Sequence, residues 1–391
     1  MQAKVDWEAL RESRIEKTQS MMKKNKVDLL LLTALENVRY VTDVKPVFGI
    51  DYAVDGYAAV VPAEGRPTLI RPYAGENPLQ LPEVSTSKYV YVPLSGMLVS
   101  KEWAELFAKV LQNSISVRGR PVRIGVDHLS FETYSDLQSR VKGTYVPIMK
   151  EMLEARAVKL PEEIKLMREA ARVLDVGMEA AAKELKPGVS EFKVGGSILD
   201  AMAREGIEQV PFWPVVVSGK TPPGAESSGV FTGAKKIDRE DVVIIDFGCH
   251  VKGGYSGDYG RVFFLDNHSR AKELYEALYD VIMNGIRKAR PGVNASELDD
   301  ACRQVIKERG YEDPEPEIGH GLGLKVAELP RITRPAEARS TGTDMKLEAG
   351  MIVNLEPIVH VPKTMWMWVE NTMLITESGS EVLTKFPFEP S

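Results

Sequence analysis

Four carboxylates and one imidazole in this 391-residue chain stand at spacings that can do chemistry. Asp246 closes the apolar run Val242-Val-Ile-Ile, and Glu356 closes Met351-Ile-Val-Asn-Leu. Asp258 opens Asp258-Tyr-Gly-Arg-Val-Phe, and Glu370 opens Glu370-Asn-Thr-Met-Leu-Ile. Each pair places one acid at the end of an apolar strand and the other at the start of the next. Four such groups facing one another in a sheet interior would repel and lose hydration, so they need cations. Two divalent metals are the simplest solution. His320, in Ile318-Gly-His-Gly-Leu-Gly323, adds a nitrogen ligand and reads as part of a glycine-rich turn whose small neighbours allow close backbone approach. Oxygen-rich coordination with a single nitrogen suits manganese, cobalt or iron, and zinc is admissible. A pair of such ions would bridge a water, lower its pKa and polarise a carbonyl oxygen, which is hydrolytic equipment.

The elements that must position these groups show a weak internal repeat. Pro187-Gly-Val189 reappears as Pro291-Gly-Val293, and Ala203-Arg-Glu-Gly206 aligns with Lys307-Glu-Arg-Gly310, both at an offset of 104 residues. Two halves follow, each a helix, a Pro-Gly turn, a second helix and a sheet, with the four acids converging across a pseudo-two-fold axis. The first helix starts at Pro161. Ile164, Met167, Ala171, Leu174 and Met178 mark its apolar face, and Glu162 and Glu163 favour its N-terminus. Ahead of it an opening helix, a buried strand at 28–33, a hairpin turning at Pro62-Ala-Glu-Gly65-Arg and a strand at 122–126 read as a small mixed α/β domain. The expected domains are residues 1–155 and 156–391.

Composition narrows the function classes. With 43 % hydrophobic and 27 % charged residues, the chain is neither disordered nor fibrous. Lys plus Arg is 50 against 56 Asp plus Glu, and no basic run would track a phosphate backbone, so nucleic acid is not an expected partner. No apolar stretch approaches the roughly 20 residues that span a bilayer, so no membrane segment is expected. Asp6 and Glu8 fall where a signal peptide needs an apolar core, which makes the cytoplasm the expected compartment. Two cysteines, Cys249 and Cys302, are too few for a disulfide framework or a cysteine-based zinc site.

Asp246-Phe-Gly248, Asp258 with Arg261, Gly319-His320-Gly-Leu-Gly323, Asn354-Leu-Glu356-Pro357 and Val369-Glu370-Asn-Thr372 resemble, in order, the metal-site motifs of the pita-bread metallopeptidases. That family includes methionine aminopeptidase, prolidase (Xaa-Pro dipeptidase), aminopeptidase P and the metal-free relative creatinase. Arg156-Ala-Val-Lys159 with Pro161-Glu-Glu163-Ile is similar to the start of its catalytic domain, and Asn37-Val-Arg-Tyr40 to the N-terminal domain of the prolidase and creatinase branch. The resemblance implies an α/β (α+β) chain with a C-terminal pita-bread fold of two pseudo-symmetric halves, preceded by a smaller creatinase-type domain. It implies one or two divalent ions (Mn, Co, Fe or Zn) on Asp246, Asp258, His320, Glu356 and Glu370, and a homodimer.

Departures from the family bear on the substrate. Where prolidases carry a histidine in a Val-His-Glu run, this chain has Val326-Ala327-Glu328. The stretch Pro222-Pro-Gly-Ala-Glu226-Ser-Ser-Gly-Val-Phe231 lacks the family's other histidine. Trp368 replaces an arginine two positions before the last metal glutamate, and the spacing from Asp246 to Asp258 is one residue longer than in the peptidases. An amide hydrolase must protonate the leaving nitrogen, so replacements are sought. His360, placed on the face of Glu356 if the strand alternates, and Glu328 are the catalytic candidates; Glu328 reads equally as a structural ion pair. His250 reads as a solvated turn residue. Trp213, Trp366 and Trp368, the last sharing alternation with Glu370, would form an aromatic wall, which favours a small cationic or apolar ligand by about 0.5–2 kcal/mol for a cation over a ring face.

The expected activity is that of an Xaa-Pro dipeptidase-like metallohydrolase, using a metal-bound hydroxide on a small amide or dipeptide. Alternatives are a family member acting on a small polar or cationic metabolite, either an ectoine-like or creatine-like hydrolase or a dimethylsulfoniopropionate lyase by β-elimination, and a non-catalytic binding module.

Overall fold

Four consecutive leucines, Leu29 to Leu32, can be buried on both faces only in the middle of a sheet, and that is where they lie. The computed structural model describes residues 4–45, 57–73, 88–93, 100–117, 119–219, 232–266, 269–311, 315–361 and 365–388, without the side chains of 71–73, 88–93, 100, 269, 270, 360, 361, 365 and 366. Two compact units divide the chain, one from Asp6 to Arg156 and one from Ala157 on, the latter also taking in Lys4 and Val5.

The first unit runs α1 (Trp7–Lys24), β1 (Leu29–Leu32), α2 (Leu35–Thr42), β2 (Ala58–Pro62), β3 (Thr68–Tyr73), β4 (Lys88–Pro93), α3 (Ser100–Ser114), β5 (Val122–Val126), α4 (Phe131–Arg140), β6 (Gly143–Pro147) and α5 (Met149–Ala157). Its six strands form one mixed sheet in the order β4-β3-β2-β1-β5-β6. The expected hairpin joins β2 to β3, with Ala58 opposite Ile70. Leu31, Val60, Ile70, Phe107, Leu111, Ile124 and Leu137 share one core. Asn37, from the Asn-Val-Arg-Tyr run, is buried between two partners: its amide donates to Asp127 at 2.8 Å and its oxygen accepts from Arg156.

The second unit opens with α6 (Pro161–Glu184), where Pro161 needs no amide partner and Glu163 accepts from the Leu160 amide at 2.7 Å. Next come α7 (Glu191–Arg204), β7 (Val215–Gly219), β8 (Val242–His250) and β9 (Ser256–Phe264), the strands forming one antiparallel sheet. The second half runs α8 (Ser269–Lys288), α9 (Ala295–Glu308), β10 (Glu317–Gly321), β11 (Glu328–Thr333), α10 (Pro335–Thr341), β12 (Ile352–Leu355), β13 (Ile358–Val361), β14 (Met365–Trp368), β15 (Asn371–Ile375) and β16 (Ser380–Val382). Here a five-stranded sheet has the order β11-β10-β12-β15-β16, and β13 pairs with β14 alone.

The repeat read from the sequence is a repeat of hydrogen bonds. Gly188 and Gly292, each after its proline, take φ of +88° and +87°, a left-handed backbone that glycine adopts without steric penalty. Gly188 donates to the Ile237 carbonyl and Gly292 to that of Leu347, both at 2.8 Å. Ile237 and Leu347 then donate back to Val189 and Val293, again at 2.8 Å. Each half thus pins its second helix to the loop that feeds its ligand strand.

The first helix of each half also approaches that strand through a glycine. A Cβ on Gly177 of α6 would lie 2.7 Å from the Phe247 ring, and one on Gly285 of α8 would lie 2.4 Å from Leu355 Cδ1. Phe247 follows Asp246 and Leu355 precedes Glu356, so the close packing is beside the acids. Among the described residues no helix is long and apolar enough to cross a membrane.

Candidate metal centre

Asp246 and Asp258 share one face of the β8–β9 ladder. Asp246 lies opposite Gly260 and Asp258 opposite Gly248, and residues two apart on a strand point the same way, which makes the two acids diagonal neighbours. The missing side chain at 260 leaves space that Glu370 fills, since a Cβ there would be 3.0 Å from Glu370 Oε1. The two sheets meet at this point, where the Glu370 amide donates to the Gly260 carbonyl at 3.1 Å.

His320 lies within strand β10 rather than in a turn, flanked by β11 and β12. Its glycine neighbours make this position accessible to a strand: a Cβ on Gly319 would be 2.3 Å from the Asn354 carbonyl oxygen, and one on Gly321 would be 2.1 Å from that of Leu329. His320 Nδ1 is 3.1 Å from the Gly321 carbonyl, so it carries the proton, and Nε2 faces Glu356 Oε1 at 3.4 Å and Asp258 Oδ2 at 3.7 Å.

Two groups of ligand atoms result, Asp258 with His320 and Glu356, and Asp246 with Asp258 and Glu370, each with all its ligand atoms within 4.8 Å of one another. Asp258 belongs to both. Among the described residues Asp246 Oδ1 and Asp258 Oδ1 are buried without a hydrogen-bond donor, an arrangement that a cation relieves. Burial, then the charges of Asp258 and Glu356, push Asp246 well above the ordinary carboxylate range. Burial, then Asp246, Asp258 and Glu356, do the same to Glu370. Burial holds Asp258 up at about 7, against the pull of His320. For His320 burial works against the charge, but the hydrogen bond to Glu356 and the two carboxylate charges prevail and raise it to about 9. These residues fit divalent cations: the donor set is oxygen-rich, its acids resist ionising together, and a metal would take the place of their protons.

Neutral donors hold the acids in place. Asn354 Nδ2 donates to Glu370 Oε2 at 3.1 Å, and Thr372 Oγ1 lies 3.1 Å from Asn354 Oδ1 and 3.3 Å from the Asp258 carbonyl oxygen. Asn354 and Thr372 face each other across β12–β15, and both belong to the sequence motifs, where alternation with Glu356 and Glu370 was the available signal of their role. The Trp368 indole donates to the Asp246 carboxylate, so this buried tryptophan reaches the acids.

The remaining candidates are distributed differently. Glu328 is buried, accepts from the Lys325 amide at 3.2 Å and lies 3.9 Å from Lys159 Nζ, which gives it the partner expected of a structural ion pair. Trp213 is 55 % exposed, its indole nitrogen beside Gly195 of α7. The side chains of His360 and Trp366 lie outside those described; their backbones pair across β13–β14. The alternation that linked His360 to Glu356 is interrupted, because β12 ends at Leu355 and β13 begins beyond Pro357 in another sheet. His250 is not solvated: it ends β8, buried, with Nδ1 3.0 Å from the Gly254 carbonyl oxygen. The stretch 222–231 lies outside the described residues.

Two pseudo-symmetric helix-and-sheet halves closing on an Asp, Asp, His, Glu, Glu cluster define a metallohydrolase fold of the pita-bread type. The chain belongs to metallopeptidase family M24, whose model matches residues 165–377, and residues 14–158 match the creatinase/prolidase N-terminal domain. It is 29 % identical to an Xaa-Pro dipeptidase of Pyrococcus furiosus over 96 % of this chain and 98 % of that protein. Among solved structures it is similar to an Xaa-Pro dipeptidase from Bacillus anthracis, with a TM-score of 0.79 and 25 % identity over 97 % of this chain and 99 % of the other. The prolidase from Pyrococcus horikoshii OT3 has a TM-score of 0.76 and 26 % identity, over 96 % and 99 %. All three are named as peptidases of Xaa-Pro substrates or prolidases, and the lyase alternative gains no support from them.

Proposed function

We propose that this chain is a divalent-metal-dependent dipeptidase that releases proline from Xaa-Pro dipeptides, with Asp246, Asp258, His320, Glu356 and Glu370 as its metal ligands. The observation that carries the reading is the pair of ligand groups sharing Asp258, in a chain similar along almost its whole length to an Xaa-Pro dipeptidase. Bound ions would supply a polarised carbonyl and an acidified water. The chain's own residues prepare the place for them. His320 keeps Nε2 toward the acids because Nδ1 is committed to Gly321, Asn354 orients Glu370, and Trp368 orients Asp246. Glu356, with 25 % of its side chain exposed against 5 % for His320 and 7 % for Asp258, is where substrate reaches the cluster.

Ala327 is exposed and occupies the position of the prolidase histidine, so a different group serves the leaving nitrogen. We assign Glu328 to holding the β10–β11 connection through Lys159 and keep His360 as the candidate proton carrier. A homodimer, implied by the family resemblance, belongs to the same proposal.

The test is proline release from a panel of Xaa-Pro dipeptides by protein reconstituted with manganese, cobalt, iron or zinc and assayed for bound metal. Turnover with at least one metal is expected, falling at least about tenfold in kcat for His360→Ala, at the low end of what a general acid contributes. A fully metallated protein that releases no proline would overturn the peptidase reading and point to small cationic metabolites.

A further inference from the structure

Arg261 takes a full positive charge into the interior: it is 2 % exposed, on β9 three residues beyond Asp258. Its hydrogen bonds among the described residues go to neutral oxygens. Nη1 donates to the Gly260 carbonyl at 3.0 Å and to the Glu370 carbonyl; Nη2 donates to Asn371 Oδ1 at 2.8 Å and to the Phe386 carbonyl at 3.3 Å. The planar fork therefore bridges the strand of Asp258, the backbone of Glu370 and the C-terminal segment. Glu370 lies between β14 and β15, outside both, so no strand ladder fixes its carbonyl; Arg261 does.

The guanidinium is itself held between two rings, its carbon 4.3 Å from the Tyr259 ring centroid and 4.9 Å from that of Phe388. Phe388 packs on Tyr275 and Tyr279 of α8, with centroids at 5.3 Å and 5.0 Å. Two residues earlier the segment is tied to the other half. Asp175 of α6 accepts from the amides of Lys385 and Phe386, each at 2.8 Å, and Tyr259 Oη donates to the Phe386 carbonyl at 3.2 Å. Residues 384–388 are thus fastened to the first helix of each half and close over Arg261.

We propose that this C-terminal segment is a clamp that sets the position of Glu370 through Arg261, and so sets the cation affinity of the Asp246–Asp258–Glu370 group. Arg261 and Phe388 are positioning residues. The inference rests on the metal-site reading above.

The test uses the full-length, metal-free protein titrated with Mn2+ while the free ion is followed by electron paramagnetic resonance. Phe388→Ala and Arg261→Lys are expected to weaken at least one bound ion by about tenfold, the scale of lost support around a metal ligand. Phe388→Tyr, which keeps the ring, is expected to retain wild-type affinity. The metal-free melting temperature of Phe388→Ala should stay within a few degrees of wild type, since the ring is only half-buried, and that variant carries the test if Arg261→Lys does not fold. Wild-type affinity in Phe388→Ala overturns the clamp while leaving the metal site standing. Wild-type protein that binds no divalent ion overturns the metal-site reading and the clamp with it.

Discussion

At the scale of single residues, the acids are poised by neutral donors where an ion pair would have been the simple expectation. At Trp368, where the family resemblance implies an arginine, the indole gives Asp246 one hydrogen bond without adding a positive charge. The donor is uncharged, so it orients the carboxylate without competing electrostatically with a cation. Trp368→Phe keeps an aromatic ring, smaller than the indole, and removes the donor. Metal binding by that variant, measured by isothermal titration calorimetry, is expected to be about 10- to 100-fold weaker, in line with the loss of one outer-shell partner. Asn354 and Thr372 were within reach of the sequence, each standing two residues from a ligand glutamate at the end of its strand, although Glu356 and Glu370 themselves lie just outside β12 and β15. Arg261 was visible as part of the motif that begins at Asp258, but its contacts were not, because they depend on Glu370 and Phe386 meeting it, and no periodicity relates positions so far apart.

At the scale of elements, apolar runs leading into acids showed where β8 and β12 lie, because a buried strand tolerates a carboxylate only where something compensates its charge; the expected strand end was wrong for Asp246, since β8 continues past it to His250 and the acid lies mid-strand. Two other inferences failed for the same reason, that strand boundaries depend on partners. His320 reads as a turn residue because glycines surround it; here those glycines let β11 and β12 approach β10 closely. The alternation from Glu356 to His360 assumes one strand, and Pro357, which has no amide to donate, separates two. The glycines on the first helices have a testable role. Val has a somewhat better intrinsic helix preference than Gly, so any destabilisation in Gly177→Val reports the clash with Phe247, 2.7 Å away at the Cβ alone. Overpacking of this kind costs about 1–3 kcal/mol, to be read from urea unfolding of the metal-loaded protein.

At the scale of the whole molecule, the buried acids link stability to metal and pH. In the metal-free protein Asp258 titrates at about 7 against an ordinary 3.8, and His320 at about 9 against 6.5. Both folded-state values are raised, so each group's contribution is complete below its ordinary value and disappears as pH rises through its folded value. Metal-free protein is therefore expected to melt at a lower temperature at pH 8 than at pH 6. Adding manganese should raise the melting temperature more at pH 8 than at pH 6, because fewer protons must leave the ligands first. At a free metal concentration of 100 times Kd the stabilisation is about 2.7 kcal/mol. Differential scanning fluorimetry with and without chelator checks both signs, and a metal-free protein more stable at pH 8 would contradict the protonated cluster.

Each ligand group draws on both halves: Asp258 from the first joins His320 and Glu356 from the second, and Asp246 with Asp258 joins Glu370. Neither half alone supplies a complete group of these ligand atoms. During synthesis Asp246 and Asp258 leave the ribosome long before Glu356 and Glu370, so on the proposed ligand set metal loading would wait for the second half to fold against the first. An ion bound there would act as an inspector of finished molecules, retained by chains whose halves have closed and lost from any cut short before residue 356.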